Sequence, residues 1–395
     1  MTNISRYTKL ILVLFGTFLA LSITAKESET LLFKNVKLFD GVVLHDSVDL
    51  LISGDKIAGV FTENKPADKD VDFVIDASGK TIIPGLINAH VHISNKNEEK
   101  LKVSAEAGIL SVIDLFSKAE TGSKMRAYRD RPGYAYFYSS GPVATPPGGH
   151  GTQYGFATPT LKEPGEAAAF VKDRISEKSD VLKIILEDAG GRIPHLSSET
   201  VSALVRESKK AGLVSVVHTS TVENAMIAFN AGANGIAHSW FRASNKIGEL
   251  DLEKLASKKF FVTPTLLINN KFSQIPKEKL RGETFATMKN TLSDIKRLHE
   301  KGVTILAGTD APNFGINHGT DFYQELYLLV EAGLSPLETI KAATSNIASH
   351  YQLEDRGVLQ SGKRADFLLI DGNPTLNIKD IENIVGIWQA GTKIK

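Results

Sequence analysis

The sequence contains no cysteine in any of its 395 positions. This absence excludes disulfide bonds, thiolate metal ligands and cysteine nucleophiles. Any metal site in this protein must therefore be built from histidine, carboxylate or lysine side chains. The sequence also has no G-x-S-x-G motif, which argues against a serine hydrolase of the nucleophile-elbow type.

A large net charge of either sign is also lacking, because 46 lysines and arginines against 45 aspartates and glutamates leave a formal net charge of only +1. Without an excess of basic residues, the composition gives no support for binding to nucleic acid or to a membrane surface. A hydrophobic content of 42% and a charged content of 23% are typical of globular proteins. The expected partner is a small-molecule substrate, and a homo-oligomer remains open.

Long hydrophobic runs are scarce, and the one clear example lies at the start of the chain. Arg6 and Lys9 precede an apolar run from Leu10 to Leu21, and small residues follow up to Ala25. This pattern predicts a signal peptide over residues 1–25. An uncleaved anchor is the alternative, although the run is shorter than the ~20 residues that span a bilayer. Export without disulfides fits the bacterial periplasm, with no membrane association after cleavage.

The remaining sequence is divided by its patterns into two parts. Residues 26–84 and 356–395 show short strand patterns broken by Asp-Gly and Gly-Asp turns, which predict one small β-sandwich domain made from both ends of the chain. Residues 85–355 alternate apolar strands with amphipathic helices, as a (β/α)8 TIM barrel of about 250 residues requires. Eight strands are predicted in this part, over residues 86–92, 108–115, 134–138, 181–186, 214–218, 235–238, 260–263 and 303–308. Helices are predicted over residues 197–211, 251–258 and 321–332.

The first barrel strand ends in His90-Val91-His92. Side chains two residues apart in a strand point to the same side, so both imidazoles are presented together. Imidazole is the commonest protein ligand for transition metals. The alternative is that two histidines lie near a core strand by coincidence. Whether other strands also end in ligand-type residues decides between a metal site and this alternative.

Further ligand-type residues follow at the carboxyl ends of other predicted strands, the face on which active sites of such barrels lie. Each has a structural alternative: a hydrogen-bonded core histidine, a capping aspartate or a lysine that extends to solvent. Six such residues on five strands favour a shared metal site. The four additional residues are Lys183, His218, His238 and Asp310.

Lys183 lies within the apolar run 181–186. Burial in such a strand disfavours the ammonium form and lowers the pKa of the lysine. A neutral amine can react with carbon dioxide, and the resulting carbamate has two oxygens that can hold two metal ions.

Together these motifs resemble the amidohydrolase superfamily of metal-dependent hydrolases, in its imidazolonepropionase-like and prolidase-like branch with a carboxylated lysine. The resemblance covers essentially the whole chain after residue 25. It rests on the segments 84–92, 182–184, 235–238, 308–312, 331–336 and 342–346, together with His218.

The resemblance implies a site with two divalent metal ions, with zinc as the first expectation. One ion would be held by His90, His92, carboxylated Lys183 and Asp310, and the second by carboxylated Lys183, His218 and His238. A hydroxide bridging the two metals would attack the carbonyl, and Asp310 would carry the proton to the departing amine. The products would be a carboxylate and an amine.

Substrate contacts are predicted less directly. His150, in the glycine-rich loop 145–151, resembles a substrate-contacting histidine and is a candidate donor to the oxyanion. Arg192 is a candidate clamp for a substrate carboxylate. His318 and His195 are weaker candidates, and for all of these residues a surface or loop role is the alternative.

The sequence departs from the family pattern after His218. Position 221 is threonine where deaminases and imidazolonepropionases place a glutamate, and Thr219-Ser220 replaces a tyrosine found in some dipeptidases. The leading hypothesis is hydrolysis of an amide in an N-acyl amino acid or a dipeptide-like compound. The alternatives are a lactone, carbamate or phosphoester hydrolase at the same metals, or a catalytically inactive periplasmic binding protein.

Overall fold

The structure is a computed structural model that describes residues 29–93, 97–242, 247–276 and 285–395. The predicted signal peptide lies outside the described residues. Within them, no helix has the length and apolar character needed to cross a membrane.

Strands and helices alternate through the middle of the described chain, and strands with short 3-10 helices form its two ends. The strands are β1 (Thr30–Phe39), β2 (Leu44–Ser53), β3 (Lys56–Phe61), β4 (Phe73–Asp76), β5 (Lys80–Pro84), β6 (Leu86–Val91), β7 (Ile109–Asp114), β8 (Tyr136–Ser139), β9 (Val181–Ile185), β10 (Val214–His218), β11 (Gly235–Ala237), β12 (Phe261–Thr263), β13 (Thr304–Ile305), β14 (Phe367–Asp371), β15 (Ile384–Gln389) and β16 (Thr392–Lys393). The α-helices are α1 (Glu99–Glu106), α2 (Ala119–Met125), α3 (Ala167–Ser176), α4 (Ser198–Lys210), α5 (Val222–Asn230), α6 (Glu249–Ala256), α7 (Leu266–Ser273), α8 (Met288–Glu300), α9 (Asp321–Glu331), α10 (Pro336–Ala342) and α11 (Ser345–Tyr351).

The two ends of the chain pair with each other, as the sequence predicts. β14 from the C-terminal part runs antiparallel to β5 from the N-terminal part. The eight strands of the two parts form one sheet in the order β16-β15-β14-β5-β1-β2-β3, with β4 beside β1. Its core is aromatic, because the ring of Phe33 lies 5.2 Å from that of Phe367 and 4.9 Å from that of Trp388. A division of this sheet into the two layers of a sandwich stays a prediction, and so do the predicted domain boundaries.

The middle of the chain contains eight parallel strands with intervening helices. Among the described residues they pair within two sheets, β6-β7-β8 and β9 to β13, in place of one continuous ladder. Single parallel bridges join the sheets at both seams, between Ala144 and Ile184 and between Val91 and Ala311. Few backbone hydrogen bonds join the two sheets, because β8 ends at Ser139, before its bridge, and β13 has only two residues.

The helices cover these strands with one apolar face each. In α4, the buried side chains of Val201, Leu204, Val205 and Ser208 recur at the helical period. The hydroxyl of Ser197 accepts a hydrogen bond from the Thr200 N–H and so caps the start of the helix. The three helices predicted from the sequence are confirmed as α4, α6 and α9, each with bounds within two residues of the prediction.

Candidate metal centre

The first three predicted ligands form a compact cluster at the carboxyl ends of the strands. The Nε2 atoms of His90 and His92 lie 3.2 and 2.8 Å from Oδ1 of Asp310. One potential ligand atom from each of the three residues lies within 4.8 Å of the others. This spacing suits a single metal ion whose ligands are two imidazoles and a carboxylate.

Backbone contacts between β6 and the segment after β13 hold this cluster together. The Asp310 N–H donates a hydrogen bond of 2.8 Å to the His90 carbonyl. One residue earlier, Thr309 donates its N–H to Oδ1 of Asn88 at 3.2 Å and accepts from Nδ2 of Asn88 at 2.9 Å. Asp310 itself has a φ of 62°, a left-handed conformation uncommon outside glycine that often marks functional positions.

His218 and His238 extend the cluster from neighbouring strands. The ring of His238 lies 4.8 Å from that of His90 and 4.5 Å from that of His218, between centroids. Nδ1 of His238 lies 2.8 Å from Oγ1 of Thr265, whose hydroxyl donates to the carbonyl of Pro264. Since that hydroxyl proton is already committed, Nδ1 of His238 must be the donor, which leaves Nε2 as a lone-pair donor for a metal.

Lys183 lies in the middle of β9, with 2% of its surface exposed. Burial lowers its pKa to about 7, partly opposed by the negative charge of Asp310. Its Nζ lines the same cavity as the histidines, a space of about 440 Å³. A substantial fraction of this amine is therefore neutral near pH 7, as carboxylation requires.

Many polar atoms at the centre are buried without a hydrogen-bond partner, although leaving them so costs free energy. Burial also lowers the pKa of His90, His218 and His238, which favours the neutral imidazoles that bind metals. Converging lone pairs without partners are what bound metal ions would satisfy, so these residues fit a metal centre. The unpartnered atoms are both ring nitrogens of His90, Nδ1 of His92, Nζ of Lys183, Nε2 of His218 and Oδ1 of Asp310.

His150 lies where a substrate-contacting residue is predicted. It lines the cavity, and its ring centroid is 5.0 Å from that of His218. Burial, together with electrostatic repulsion from His218, lowers the pKa of His150 to about 3. At neutral pH this side chain is therefore an uncharged imidazole that can donate one hydrogen bond.

The other candidate substrate residues lie apart from the cavity. Arg192 and His195 are exposed and do not line it. His318 is buried, but it is also absent from the cavity lining. Contacts of Arg192, His195 or His318 with substrate stay predictions.

Glu187 was missed by the sequence analysis, although it lies in the cavity. Its Oε2 is 3.6 Å from Nε2 of His218, and its Oε1 is 3.2 Å from Nε of Arg242. Burial would raise its pKa, but the proximity of His218 and the positive charge of Arg242 lower it to about 2. The spacing Lys183, Ile185, Glu187 places this side chain on the same strand face as the lysine, so the period of two was a usable signal.

Thr221, the departure from the deaminase pattern, has a structural role. Its hydroxyl accepts a hydrogen bond from the Asn224 N–H and caps α5. The carboxylate that approaches His218 is instead Glu187, which comes from the preceding strand.

A sequence model described as "Amidohydrolase family" matches residues 81–395. The chain belongs to the amidohydrolase family. The match confirms the predicted family and the predicted class of hydrolase that acts on carbon–nitrogen bonds. Members of this family typically bind divalent metal ions, and the cluster of His90, His92 and Asp310 is a site of that kind.

Individual amidohydrolases are similar to the chain over different lengths. Ochratoxinase of Aspergillus niger is 23% identical over 375 residues, which cover 80% of this chain and 75% of that protein. An imidazolonepropionase of Deinococcus deserti is 34% identical over 110 residues, 25% of this chain and 26% of that protein.

Among solved structures, a Xaa-Pro dipeptidase with bound methionine superimposes with a TM-score of 0.79 and 23% identity. The similarity covers 93% of this chain and 100% of the dipeptidase. It confirms an α/β fold of the TIM-barrel type for this amidohydrolase.

Proposed function

We propose that this amidohydrolase is a binuclear metal-dependent enzyme that cleaves the amide bond of an N-acyl amino acid or a dipeptide-like compound. The observation that carries the proposal is the convergence of six potential ligands from five strands on one cavity. Within the part of the chain that the structure describes, all of these residues except His238 have at least one buried nitrogen or oxygen atom without a hydrogen-bond partner.

The six side chains divide into two ligand sets. His90, His92 and Asp310 would hold one ion, and His218 and His238 would hold the other. Lys183, once carboxylated by carbon dioxide, would be a ligand to both ions. When bound, two divalent ions supply an activated water nucleophile and polarise the substrate carbonyl. Zinc is the expected metal, because neutral imidazole is a favoured ligand for it.

Asp310 moves the proton in this proposal. Burial would raise its pKa, but the neighbouring imidazoles of His90, His92 and His238 together outweigh burial and hold the pKa well below its usual range. The carboxylate is thus ionised at neutral pH and ready to accept a proton from the attacking water. The same group then returns the proton to the departing amine, as a general base followed by a general acid.

His150, whose ring lies 5.0 Å from that of His218 between centroids, stabilises the negative charge that develops during the attack. Its neutral imidazole donates a hydrogen bond to the oxygen on which negative charge develops during attack. Such a donor is most effective in a site shielded from water.

The named relatives support amide chemistry without defining this protein's substrate. The names Xaa-Pro dipeptidase and imidazolonepropionase both describe enzymes whose substrates contain carbon–nitrogen bonds. The predicted signal peptide supports a periplasmic location, where small peptides and acylated amino acids are available to an exported hydrolase.

A panel of substrates tests the proposed function. The full chain, loaded with zinc, is expected to release carboxylate and amine from N-acetyl amino acids or dipeptides faster than it cleaves matched esters, lactones, carbamates or phosphoesters. His218→Asn should abolish this activity. His195→Asn, the same change at an exposed histidine outside the cavity, should retain it.

Two outcomes would contradict the proposal. A preference for lactones, carbamates or phosphoesters over amides would assign the metal centre to a different reaction. If the protein cleaves no compound of the panel and binds no metal, the alternative of a catalytically inactive binding protein would be supported instead.

A further inference from the structure

The cavity has a second population of side chains that the proposed chemistry does not use. Six aromatic rings line it together with the histidines, and they come from several different loops and from α7. These rings are Phe116, Tyr154, Phe156, Phe241, Phe272 and Phe314.

Phe241, Phe272 and Phe314 form a continuous surface, the Phe241 wall. The ring of Phe241 lies 6.0 Å from that of His238, between centroids. Phe272 stacks on Phe241 at 5.0 Å with an interplanar angle of 16°, and Phe314 meets Phe272 at 4.7 Å and 65°. The wall therefore begins beside a candidate metal ligand and continues through three rings in contact.

Phe116, Tyr154 and Phe156 form a second surface, the Phe116 wall. Phe116 lies 5.8 Å from Tyr154 and 5.4 Å from Phe156, between ring centroids. The ammonium of Lys118 lies 4.9 Å from the centroid of Phe156. The Phe241 wall also has a cation beside it, because the guanidinium of Arg242 lies 5.6 Å from the centroid of Phe241, and Phe285 stacks on Phe272 at 4.9 Å. What distinguishes the Phe241 wall is therefore its position beside His238 and the exposed ring at its outer end.

The outer end of the Phe241 wall, Phe314, is not an ordinary part of the hydrophobic core, whereas Phe241 itself is buried. Phe314 is 53% exposed, although an apolar ring is favoured away from water. Phe314 also has a φ of 53°, a left-handed conformation that is unfavourable for a bulky residue. A ring held in this conformation at the mouth of an active-site cavity is better explained by a ligand that covers it than by packing alone.

We propose that the substrate is an amide with a planar aromatic group next to the scissile bond, and that this group stacks against the Phe241 wall. The proposal rests on the proposed amide hydrolysis and names its substrate class. Stacked and edge-to-face contacts are the preferred arrangements of aromatic rings, and Phe241 and Phe272 offer both. The position of Phe241 beside His238 puts a bound ring within reach of a carbonyl at the metal centre.

Matched substrates test the inference. The zinc-loaded full chain is assayed with N-acetylalanine and N-acetylphenylalanine, and with the acyl-side pair N-acetylglycine and N-benzoylglycine. In at least one pair, kcat/KM should favour the ring-bearing compound by about 30-fold, which corresponds to about 2 kcal/mol at 1.4 kcal/mol per tenfold change.

Two substitutions locate the effect on the wall. Phe272→Leu and Phe241→Leu should each reduce the ratio to a few-fold, because kcat/KM should fall more for the ring-bearing compound than for the ringless one. Phe73→Leu makes the same change at an exposed phenylalanine on β4 and should leave the ratio unaltered. Equal kcat/KM values within both wild-type pairs, or a ratio that survives both wall substitutions, would overturn the inference.

A binding measurement separates this inference from the proposed function. Titration calorimetry of the zinc-loaded protein compares 2-naphthoate with butyrate, and naphthoate should bind at least about tenfold more tightly, an advantage that Phe272→Leu removes. If no amide is hydrolysed but this pattern is found, the proposed function fails and the aromatic subsite stands. Equal binding of the two acids would refute the subsite whether or not amides are cleaved.

Discussion

At the residue scale, the proposed metal ligands could be identified from the sequence alone, as three of them show. The pair His90 and His92 was identifiable because strand geometry places alternate side chains on one side. Lys183 was identifiable because a lysine in an apolar strand is costly unless its charge is removed. Its pKa of about 7 in the structure follows from that burial.

Other residues of the centre could not be found in the same way. Thr265 orients His238 through a hydrogen bond between side chains 27 positions apart, with no local pattern to indicate it. Arg242 approaches Glu187 across 55 positions, a contact that only the folded chain creates. Contacts of this kind depend on loop paths, which sequence patterns leave undetermined.

Asp310→Asn tests the proton transfer at this scale. The amide keeps one oxygen as a potential ligand but cannot accept a proton at neutral pH, so kcat should fall by about 10²- to 10⁴-fold. Metal analysis and kinetics on the same sample make the measurement. Near-normal kcat with both metals bound would remove the proposed role of Asp310 as proton carrier.

At the scale of elements, the carboxyl ends of the parallel strands explain why the site assembles. Each strand brings its last residues to one face, so ligands distant in sequence become neighbours. Seven of the predicted strands were confirmed over most of their length because apolar runs and turns are strong local signals, whereas the eighth, predicted over residues 303–308, is a strand only at Thr304–Ile305. The sparse pairing between the two sheets was not predicted, since it depends on contacts between strands that are distant in sequence.

Helix α7 is also tied to the centre. Its first residues, Leu266 and Leu267, donate their N–H groups to the buried carboxyl group of Glu325 on α9, at 2.9 and 2.7 Å. Thr265, which contacts His238, immediately precedes this helix and has a φ of 49°. The contact between α9 and α7 therefore supports the loop that orients a candidate metal ligand.

Glu325→Gln tests this element through its pH dependence. Burial raises the pKa of Glu325 to about 8, although the two backbone hydrogen bonds oppose the rise. The folded protein therefore binds this proton more tightly than the unfolded chain does. The resulting stabilisation is complete below pH 4.5, the ordinary pKa, and is lost as the pH rises through about 8.

Chemical denaturation of both proteins at several pH values between 5 and 8 measures this effect. The free energy of unfolding of the native chain, minus that of Glu325→Gln, should decrease as the pH increases. Subtraction removes the contribution of the histidines, which both proteins share. A difference that is constant or that grows with pH would contradict a raised pKa at Glu325.

At the scale of the whole molecule, a TIM-barrel-type domain and a terminal sheet pack against one another. The largest core cluster contains Phe39, Leu368 and Ile370 from the terminal sheet together with the residues of the parallel strands. The sequence predicted that both ends of the chain would pair, because both show strand patterns and neither shows helical periodicity. The single eight-stranded sheet they form could not be predicted, since local patterns do not determine strand order.

Metal removal should destabilise the whole molecule, because ions that bind only the folded state favour it. One ion at a free concentration 100 times its Kd contributes about 2.7 kcal/mol. A chelator should therefore lower the melting temperature by several degrees, as calorimetry can measure. His195→Asn should show the same decrease as the native protein, whereas a decrease of the same size in His218→Asn would contradict its role as a ligand.

The number of metal ions per chain tests the central claim most directly, measured by elemental analysis on the native protein and on Lys183→Ala. The account predicts two ions in the native protein and at most one in the variant, because the carbamate is the ligand that both ions share. A short carboxylic acid added to the variant should restore part of the second site and of the activity. A native protein without bound metal, or a Lys183→Ala variant that keeps two ions, would contradict the account.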